Sequence, residues 1–335
     1  MTGRGARGSL RAMSTPLSSI PSVSGIAVIK DPQSLPKALE GAVVAIGNFD
    51  GVHRGHSVVI RAAEALAMRL NKPCAVLTFE PHPADFFAGK PVIYRLTPER
   101  EKAVLLARLG LETMFVLSFD AGLAGLSADD FVRQVLVERL KISAAVVGYD
   151  FHFGKGREGS PSFLKEAGAR SGFAVKVVEK VLADAGGSPE AIHSADTRRA
   201  LEEGDVAKAR ALLGHDYFVM GEVVHGQKLG RELGFPTANL ILDPACRLRY
   251  GIYAVRVGVD GAMQKGVASW GRRPTVDNGP PWLEIHLLDF KGDLYGKELE
   301  VRFVQWLRGE EKFDGLPALV AQIEKDVAEA RAILA

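Results

Sequence analysis

Apolar positions along this chain change their spacing once, near residue 215, and the change divides it in two. Between residues 42 and 180, short apolar runs recur at Ala42–Ile46, Cys74–Phe79, Thr113–Ser118, Ala144–Val147 and Ala174–Val178. Runs of that length, rich in Val, Leu and Phe, suit strands covered on both faces, as in a parallel sheet. Helical periodicity fills the segments between them, with readable ends. Thr97-Pro98-Glu99 supplies a cap, a proline at the first helical position and an early acid, and Gly110 closes that helix. Ser127 followed by Asp130 has a capping-box pattern ahead of Phe131, Val135 and Leu136. Strand and helix in alternation predict a doubly wound α/β domain, whose ligands bind at the carboxyl ends of strands.

A turn at Gly186 to Pro189 follows, then two short helical stretches, the second opened by Asp205 and ended by Gly214. Beyond Tyr217 the apolar residues alternate. Runs at 217–225, 250–259, 263–270, 282–290 and 298–306, separated by Gly, Pro, Asn and Asp, predict an antiparallel β-barrel. Leu316, Leu319, Val320, Ile323 and Val327 repeat at the spacing of one buried helical stripe. A chain of 335 residues has room for both domains.

Composition narrows the partners. With 47% hydrophobic and 24% charged residues the chain is ordinary globular protein. A net charge of +2 makes no case for a nucleic-acid binder. Cys74 and Cys246 are too few and too far apart for a disulfide framework or a zinc site. No stretch approaches the roughly 20 apolar residues that cross a bilayer. A soluble protein of the reducing cytoplasm is expected. Residues 1–25 hold Arg4, Arg7 and Arg11 and no acid, a transit-peptide composition. Lacking an apolar face or cleavage pattern, they read as a disordered leader or an overlong start ahead of Met13.

Chemistry first gathers after the first predicted strand. Gly47-Asn48-Phe49-Asp50-Gly51-Val52-His53-Arg54-Gly55-His56 runs into a helix whose apolar face includes Val59, Ala63 and Leu66. Glycines allow close backbone approach, a helix amino terminus offers unpaired N–H groups, and two imidazoles can donate to phosphate oxygens. That combination is an anion site. A His-x-x-His pair also suits a metal, but no further His or Cys clusters nearby. Gly154-Lys155-Gly156-Arg157-Glu158-Gly159 fits the dinucleotide fingerprint, yet it follows the fourth run rather than the first, where the fingerprint carries little weight.

In the second domain, Gly226-Gln227-Lys228-Leu229-Gly230-Arg231 is a glycine-punctuated basic loop leading to Pro236-Thr237-Ala238-Asn239. It reads equally as a phosphate cradle and as a plain hairpin with a solvated basic edge. Glu284 and His286 alternate with apolar neighbours on a strand. A carboxylate there is either solvated or, beside a nucleotide, a general base.

Taken together, Gly47–His56, Thr78-Phe79-Glu80-Pro81-His82-Pro83 and Val147-Gly148-Tyr149-Asp150-Phe151-His152-Phe153-Gly154 resemble the adenylyltransferase half of bacterial bifunctional riboflavin kinase/FAD synthetases. The second domain resembles the riboflavin kinase module through the run ending Pro236-Thr237-Ala238-Asn239, Gly251-Ile252-Tyr253, Leu287-Leu288-Asp289-Phe290 and Leu307-Arg308-Gly309-Glu310-Glu311-Lys312-Phe313. The resemblance spans residues 26–335. It implies a Rossmann-like nucleotidyltransferase domain over 26–190, linker helices over 191–214, and a small β-barrel kinase domain with a terminal helix over 215–335. The implied substrates and products are riboflavin, FMN, FAD and ATP, with Mg2+ as the metal. By the same resemblance Asn48, His53, His56, Asp150, Ser194 and Arg198 bind ATP for adenylyl transfer. Gly226, Lys228 and Arg231 hold nucleotide phosphates in the kinase, Thr237 and Asn239 hold magnesium, and Glu284 is the base.

Two departures stand out. The family carries Ser-Ser-Thr-x-x-Arg before the linker helix, where this chain has His193-Ser194-Ala195-Asp196-Thr197-Arg198. Ala195 cannot donate to phosphate, so a kinase with a weak adenylyltransferase half is the alternative. Ala268-Ser269-Trp270-Gly271 also lacks the usual Asn-Ile. A non-catalytic flavin- or nucleotide-binding regulator is a third reading, opposed by the complete set of Thr237, Asn239 and Glu284.

Overall fold

A computed structural model of the chain describes residues 22–23, 25–180, 192–226, 230, 233–243, 245–272 and 281–335. Most of the expected leader lies outside them. Ser22–Val23, within it, is a short strand (β1) paired antiparallel with β2 (Ile26–Lys30). The predicted apolar runs become β3 (Val43–Ile46), β4 (Cys74–Glu80), β5 (Thr113–Ser118), β6 (Ala144–Gly148) and β7 (Ala174–Val178). Every residue of β3 and the five central residues of β4 are buried, as strands covered on both faces must be. The sheet order is β1-β2-β5-β4-β3-β6-β7, parallel from β2 onward. Winding reverses between β3 and β6, so the crevice lies beyond the carboxyl ends of those two strands.

Helices α1 (Arg54–Leu70), α2 (Pro83–Ala88), α3 (Glu99–Arg108), α4 (Ala121–Gly125), α5 (Ala128–Asp130, continuing as a π-helical Phe131–Arg139) and α6 (Pro161–Ser171) join these strands. Ser127 caps α5 as its pattern predicts, accepting the Asp130 N–H at 3.1 Å and donating to the Asp130 carboxylate at 2.8 Å. Thr97 does not cap α3. The cap position is Pro98, without a side-chain bond, and the Thr97 hydroxyl instead accepts the Gly51 N–H at 2.8 Å. The distant loop competes successfully for that hydroxyl.

Two linker helices follow, α7 (Ser194–Glu203) and α8 (Val206–Leu213). Asp205 caps α8 through the Lys208 N–H at 2.9 Å, and left-handed Gly214 ends it. The second domain comprises β8 (Phe218–Glu222), β9 (Ala238–Ile241), β10 (Gly251–Val259), β11 (Ala262–Gly271), β12 (Trp282–Leu287) and β13 (Glu298–Arg308). Their order is β8-β13-β10-β11-β12-β9, antiparallel throughout. A bridge between Val224 and Asn239 brings the two edge strands together into a nearly closed barrel. The predicted stripe on α9 (Leu316–Ile333) is only half covered: Leu316 is 52% exposed, and the buried positions are Asp326, Ala330 and, just beyond, Leu334. Only the second half of α9 lies on the barrel. Arg308 of β13 grips Asp326 there with two hydrogen bonds of 2.8 and 2.7 Å.

The two domains share their interiors. Tyr94 and Leu96 of the first domain lie in the barrel's core with Ala200, Leu201, Val206, Ala209 and Leu213 of the linker helices. In exchange, Phe218 of β8 is buried in the first domain's core. Tyr94 donates its hydroxyl to that of Tyr217 at 2.6 Å inside this joint, and the Glu101 carboxylate accepts the Met220 N–H at 3.1 Å.

Candidate active site

The loop after β3 is held in an unusual conformation. Phe49 (φ 48°), Gly51 (φ 85°) and Val52 (φ 41°) are all left-handed, an outlying state for a β-branched residue. Such backbone persists only where its surroundings over-determine it. Here Asp50 does much of that. Its buried carboxylate accepts the N–H groups of Leu96 and Thr97 at 3.2 and 3.0 Å and an Arg198 Nη2 at 2.5 Å, with the Arg95 Nε at 3.9 Å. His215 fastens the same loop from the second domain, its Nε2 lying 3.0 Å from the Gly51 carbonyl.

This loop delivers His53 to the amino-terminal cap of α1, where its Nδ1 accepts the His56 N–H at 3.3 Å. In the neutral ring Nε2 then carries the proton. The two imidazoles stack at 3.6 Å with their planes 16° apart, and Phe49 meets His56 edge-on. Burial lowers the His53 pKa to about 4, with nearby His193 acting in the same direction. Burial and then His53 itself push His56 well below the ordinary histidine value. Both rings are therefore neutral at pH 7, and each offers one N–H donor rather than a positive charge.

A cleft of about 670 Å³ opens over this pair, bordered by the loops after β3, β4 and β6. Asn48, His53, His56 and Asp150 line it, as do His82 and His193. Phe79, Phe87, Phe119 and Phe131 make much of its other wall apolar. His82 follows the cis Glu80–Pro81 peptide, caps α2 through the Ala84 N–H at 3.1 Å, and brings Nε2 to 3.3 Å from the Asn48 amide. Beneath the cleft, Lys102 is wholly buried, with Nζ 3.0 Å from the Thr78 hydroxyl and 3.3 Å from Glu80. Glu80 also takes two hydrogen bonds from Arg95, at 2.8 and 2.5 Å. Burial raises the Glu80 pKa, but Arg95 and Lys102 outweigh it and leave the carboxyl below its ordinary value.

Ser194 and Arg198 do not line this cleft. Ser194 donates to the Asp50 carbonyl at 2.9 Å, and Arg198 divides its guanidinium between Asp50 and the Tyr94 carbonyl at 2.6 Å. Ala195 is exposed, whereas His193 at the start of α7 makes no cap bond with its side chain and faces the cleft. The Gly154–Gly159 run forms a loop closed by a Phe153–Gly159 bridge; Gly154, Gly156 and Arg157 reach the cleft's edge.

On the barrel, register assembles the polar face. Glu284 of β12 stands opposite Asn239 of β9 on one side and Ser269 of β11 on the other. Residues directly opposite share a face, so all three project from the same side of the sheet. Their alternation partners Leu283 and Ile285 fill the core. Gly226 fits against the buried Asn239 amide so closely that a Cβ would lie 2.6 Å from Nδ2. Thr237, half-buried, sits just before β9. Lys228 and Arg231 lie outside the described residues.

Known proteins match this arrangement along both domains. Residues 35–188 match the FAD synthetase family and residues 213–334 the riboflavin kinase family. The bifunctional riboflavin kinase/FMN adenylyltransferase of Pseudomonas fluorescens is 43% identical over 88% of this chain and 94% of its own length. That of Haemophilus influenzae is 41% identical over 88% and 95%. This chain belongs to the bifunctional riboflavin kinase/FMN adenylyltransferase family. A Streptococcus pneumoniae protein solved as a macrolide-efflux protein shares the fold, with a TM-score of 0.78 and 30% identity over 91% of this chain and 98% of that one. Among the described residues here, no helix is long and apolar enough to cross a membrane.

Within this family member, Asn48, His53, His56 and Asp150 meet in one cleft, and Gly226, Asn239 and Glu284 meet on one barrel face. Sequence reasoning missed the support beneath the first site, namely Asp50, Glu80, Arg95 and Lys102. Charged residues inside otherwise apolar segments were the available signal. Glu80 ends an apolar strand, and Lys102 stands beside the apolar run Ala103–Leu106.

Proposed function

We propose that the chain phosphorylates riboflavin with ATP on its barrel and joins the resulting FMN to AMP from a second ATP in the α/β cleft. The observation that carries the second step is the neutral, stacked His53–His56 pair at the start of α1, over the strand-order reversal. A phosphate oxygen of FMN forms a bond to the α-phosphorus of ATP as the bond to pyrophosphate breaks. FMN's phosphate is already a nucleophile, so the cleft's task is to align two anions and stabilise charge on the departing group. His53, through Nε2–H, and His56 donate to that group without the mutual repulsion of two imidazolium ions. The apolar wall of Phe79, Phe119 and Phe131 suits a flat flavin ring. Ser194 and Arg198 support the site by fixing the Asp50 loop, and His193 supplies a polar group beside the position where Ala195 lacks one.

On the barrel, Glu284 accepts the proton of the ribityl 5′-hydroxyl as its oxygen bonds to the γ-phosphorus and ADP leaves. Thr237 and Asn239 offer hard oxygen atoms at the start of β9, with Gly226 packed against the Asn239 amide, a donor set that would fit Mg2+ together with nucleotide phosphates. When bound, the ion would neutralise charge on the transferring phosphate. Gly226, with Lys228 and Arg231, holds the nucleotide. The cytoplasm, with its ATP and reducing conditions, suits the two free cysteines, Cys74 and Cys246.

Incubation with riboflavin, ATP and Mg2+, with separation of FMN from FAD, tests the reading. Wild type should make both. Changing His53 and His56 together to Ala should stop FAD and leave FMN, and Glu284→Gln should slow FMN formation about 10²–10⁴-fold while FAD still forms from supplied FMN. FMN accumulating without FAD in wild type would remove the adenylyl half of the proposal.

A further inference from the structure

A second cleft, of about 550 Å³, lies between the domains on the far side of α1. Four arginines line it: Arg54 and Arg61 from α1, Arg108 from α3 and Arg302 from β13. Their charge is only partly answered. Arg108 and Arg302 share the single carboxylate of Glu300. Arg54 and Arg61 make no ion pair among the described residues, although Glu64 lies near enough for Arg61 to act on it. Asp216, the acid in the lining, is paired with Arg210 at 3.2 Å. The cleft therefore carries a surplus of guanidinium groups. Between them lie Val52, Val58, Leu105, Leu109 and Leu213, which form an apolar floor.

The walls are held in place. The Arg54 side chain reaches the end of linker helix α8 and packs on Gly214, where a Cβ would stand 3.0 Å from its Cγ. The Arg108 guanidinium lies 5.2 Å above the Phe218 ring, and His215 bonds to the Gly51 carbonyl at 3.0 Å. Guanidinium groups recognise phosphate through paired hydrogen bonds, and an apolar floor selects a ligand that has a body as well as a charge. From this we infer that the interdomain cleft is a binding site for a phosphate ester with an apolar or aromatic body, separate from both catalytic faces. Its occupant would touch both domains at once, and it would touch Val52 and Arg54, the residues flanking His53.

FMN and ATP both carry this chemistry, and inorganic pyrophosphate carries the charge without the body. Equilibrium dialysis of the full chain with each of the three, beside the double variant R61Q/R302Q, tests the inference. Wild type should bind one more equivalent of FMN or of ATP than the variant, or bind that equivalent at least about tenfold more tightly, the loss expected for removed charge-assisted hydrogen bonds. Loss confined to FMN identifies a flavin phosphate, and loss confined to ATP a nucleotide. Both enzymatic activities, read separately, should persist in the variant, so failure of the cleft and failure of the functional reading stay distinguishable. Val58→Trp, at a position already 41% exposed, fills the floor without altering charge and should remove the same equivalent. Equal binding of all three probes by wild type and both variants overturns the inference, and a difference seen with pyrophosphate alone overturns the requirement for a body.

Discussion

Arg198 on α7 donates to Asp50 in the loop after β3 at 2.5 Å, joining residues 148 positions apart in sequence. Asp50 is 2% exposed, and its other ion-pair partner among the described residues, Arg95, stands at 3.9 Å. Removing Arg198 leaves a buried carboxylate short of its main counter-charge, and also frees the Tyr94 carbonyl. Arg198→Ala should therefore destabilise the fold by about 3 kcal/mol or more in urea unfolding. Arg198→Lys should restore little, because one ammonium cannot reproduce two divergent N–H directions. Unchanged stability with lost FAD formation would instead place Arg198 on phosphate.

Buried neutral histidines make stability fall in acid. Above pH 6.5 neither folded nor unfolded His53 carries a proton. Below it the unfolded chain takes one up, while the folded ring does so only near pH 4. The contribution is thus whole above pH 6.5 and is lost as the pH drops toward 4, amounting to about 3 kcal/mol at most. Chemical denaturation at pH 7.5 and pH 4.5 should show the loss, and His53→Gln should flatten it.

The pairing of Lys102 with Glu80 is lopsided, and mutation should reveal it. Glu80 has Arg95 as well as Lys102, whereas wholly buried Lys102 has no other carboxylate within ion-pair reach among the described residues. Glu80→Ala should cost about 3–5 kcal/mol, the usual penalty for stranding a buried charge. Lys102→Met should cost clearly less. Equal losses in thermal or urea unfolding would refute the asymmetry.

Gly226 is held to glycine by lack of space. A methyl group there would lie 2.6–3.0 Å from three atoms of the Asn239 amide, which is itself buried against β12. Gly226→Ala should displace Asn239 and reduce FMN formation by an order of magnitude or more, while FAD formation from supplied FMN and the circular dichroism spectrum stay as in wild type. A fully active variant would show that the amide's position is not critical.

Much of this architecture is written in local patterns. Strands β3 to β6 appear as apolar runs because parallel strands inside the sheet are buried on both faces, whereas β7, at the sheet edge, keeps Ala174 and Lys176 exposed. The caps at Ser127 and Asp205 appear because each uses a partner three residues away. What stayed hidden depends on distant partners. Thr97 reads as a cap until the loop at Gly51 takes its hydroxyl, and the bond from Arg198 to Asp50, 148 positions away, leaves no mark in the spacing. The stripe on α9 likewise follows helical spacing, which cannot reveal that the barrel ends before the helix does. β9 does not register as a run because Pro236 and Thr237 precede it and Asn239 interrupts its apolar residues.

The exchange of side chains between the two interiors bears on how the molecule melts. Tyr94 and Leu96 cannot leave the barrel, nor Phe218 the α/β core, without opening apolar surface on both sides. Neither half can lose its packing while the other keeps its own intact. Heating should accordingly give a single calorimetric transition, with calorimetric and van't Hoff enthalpies in agreement, rather than the two separate endotherms of beads on a string.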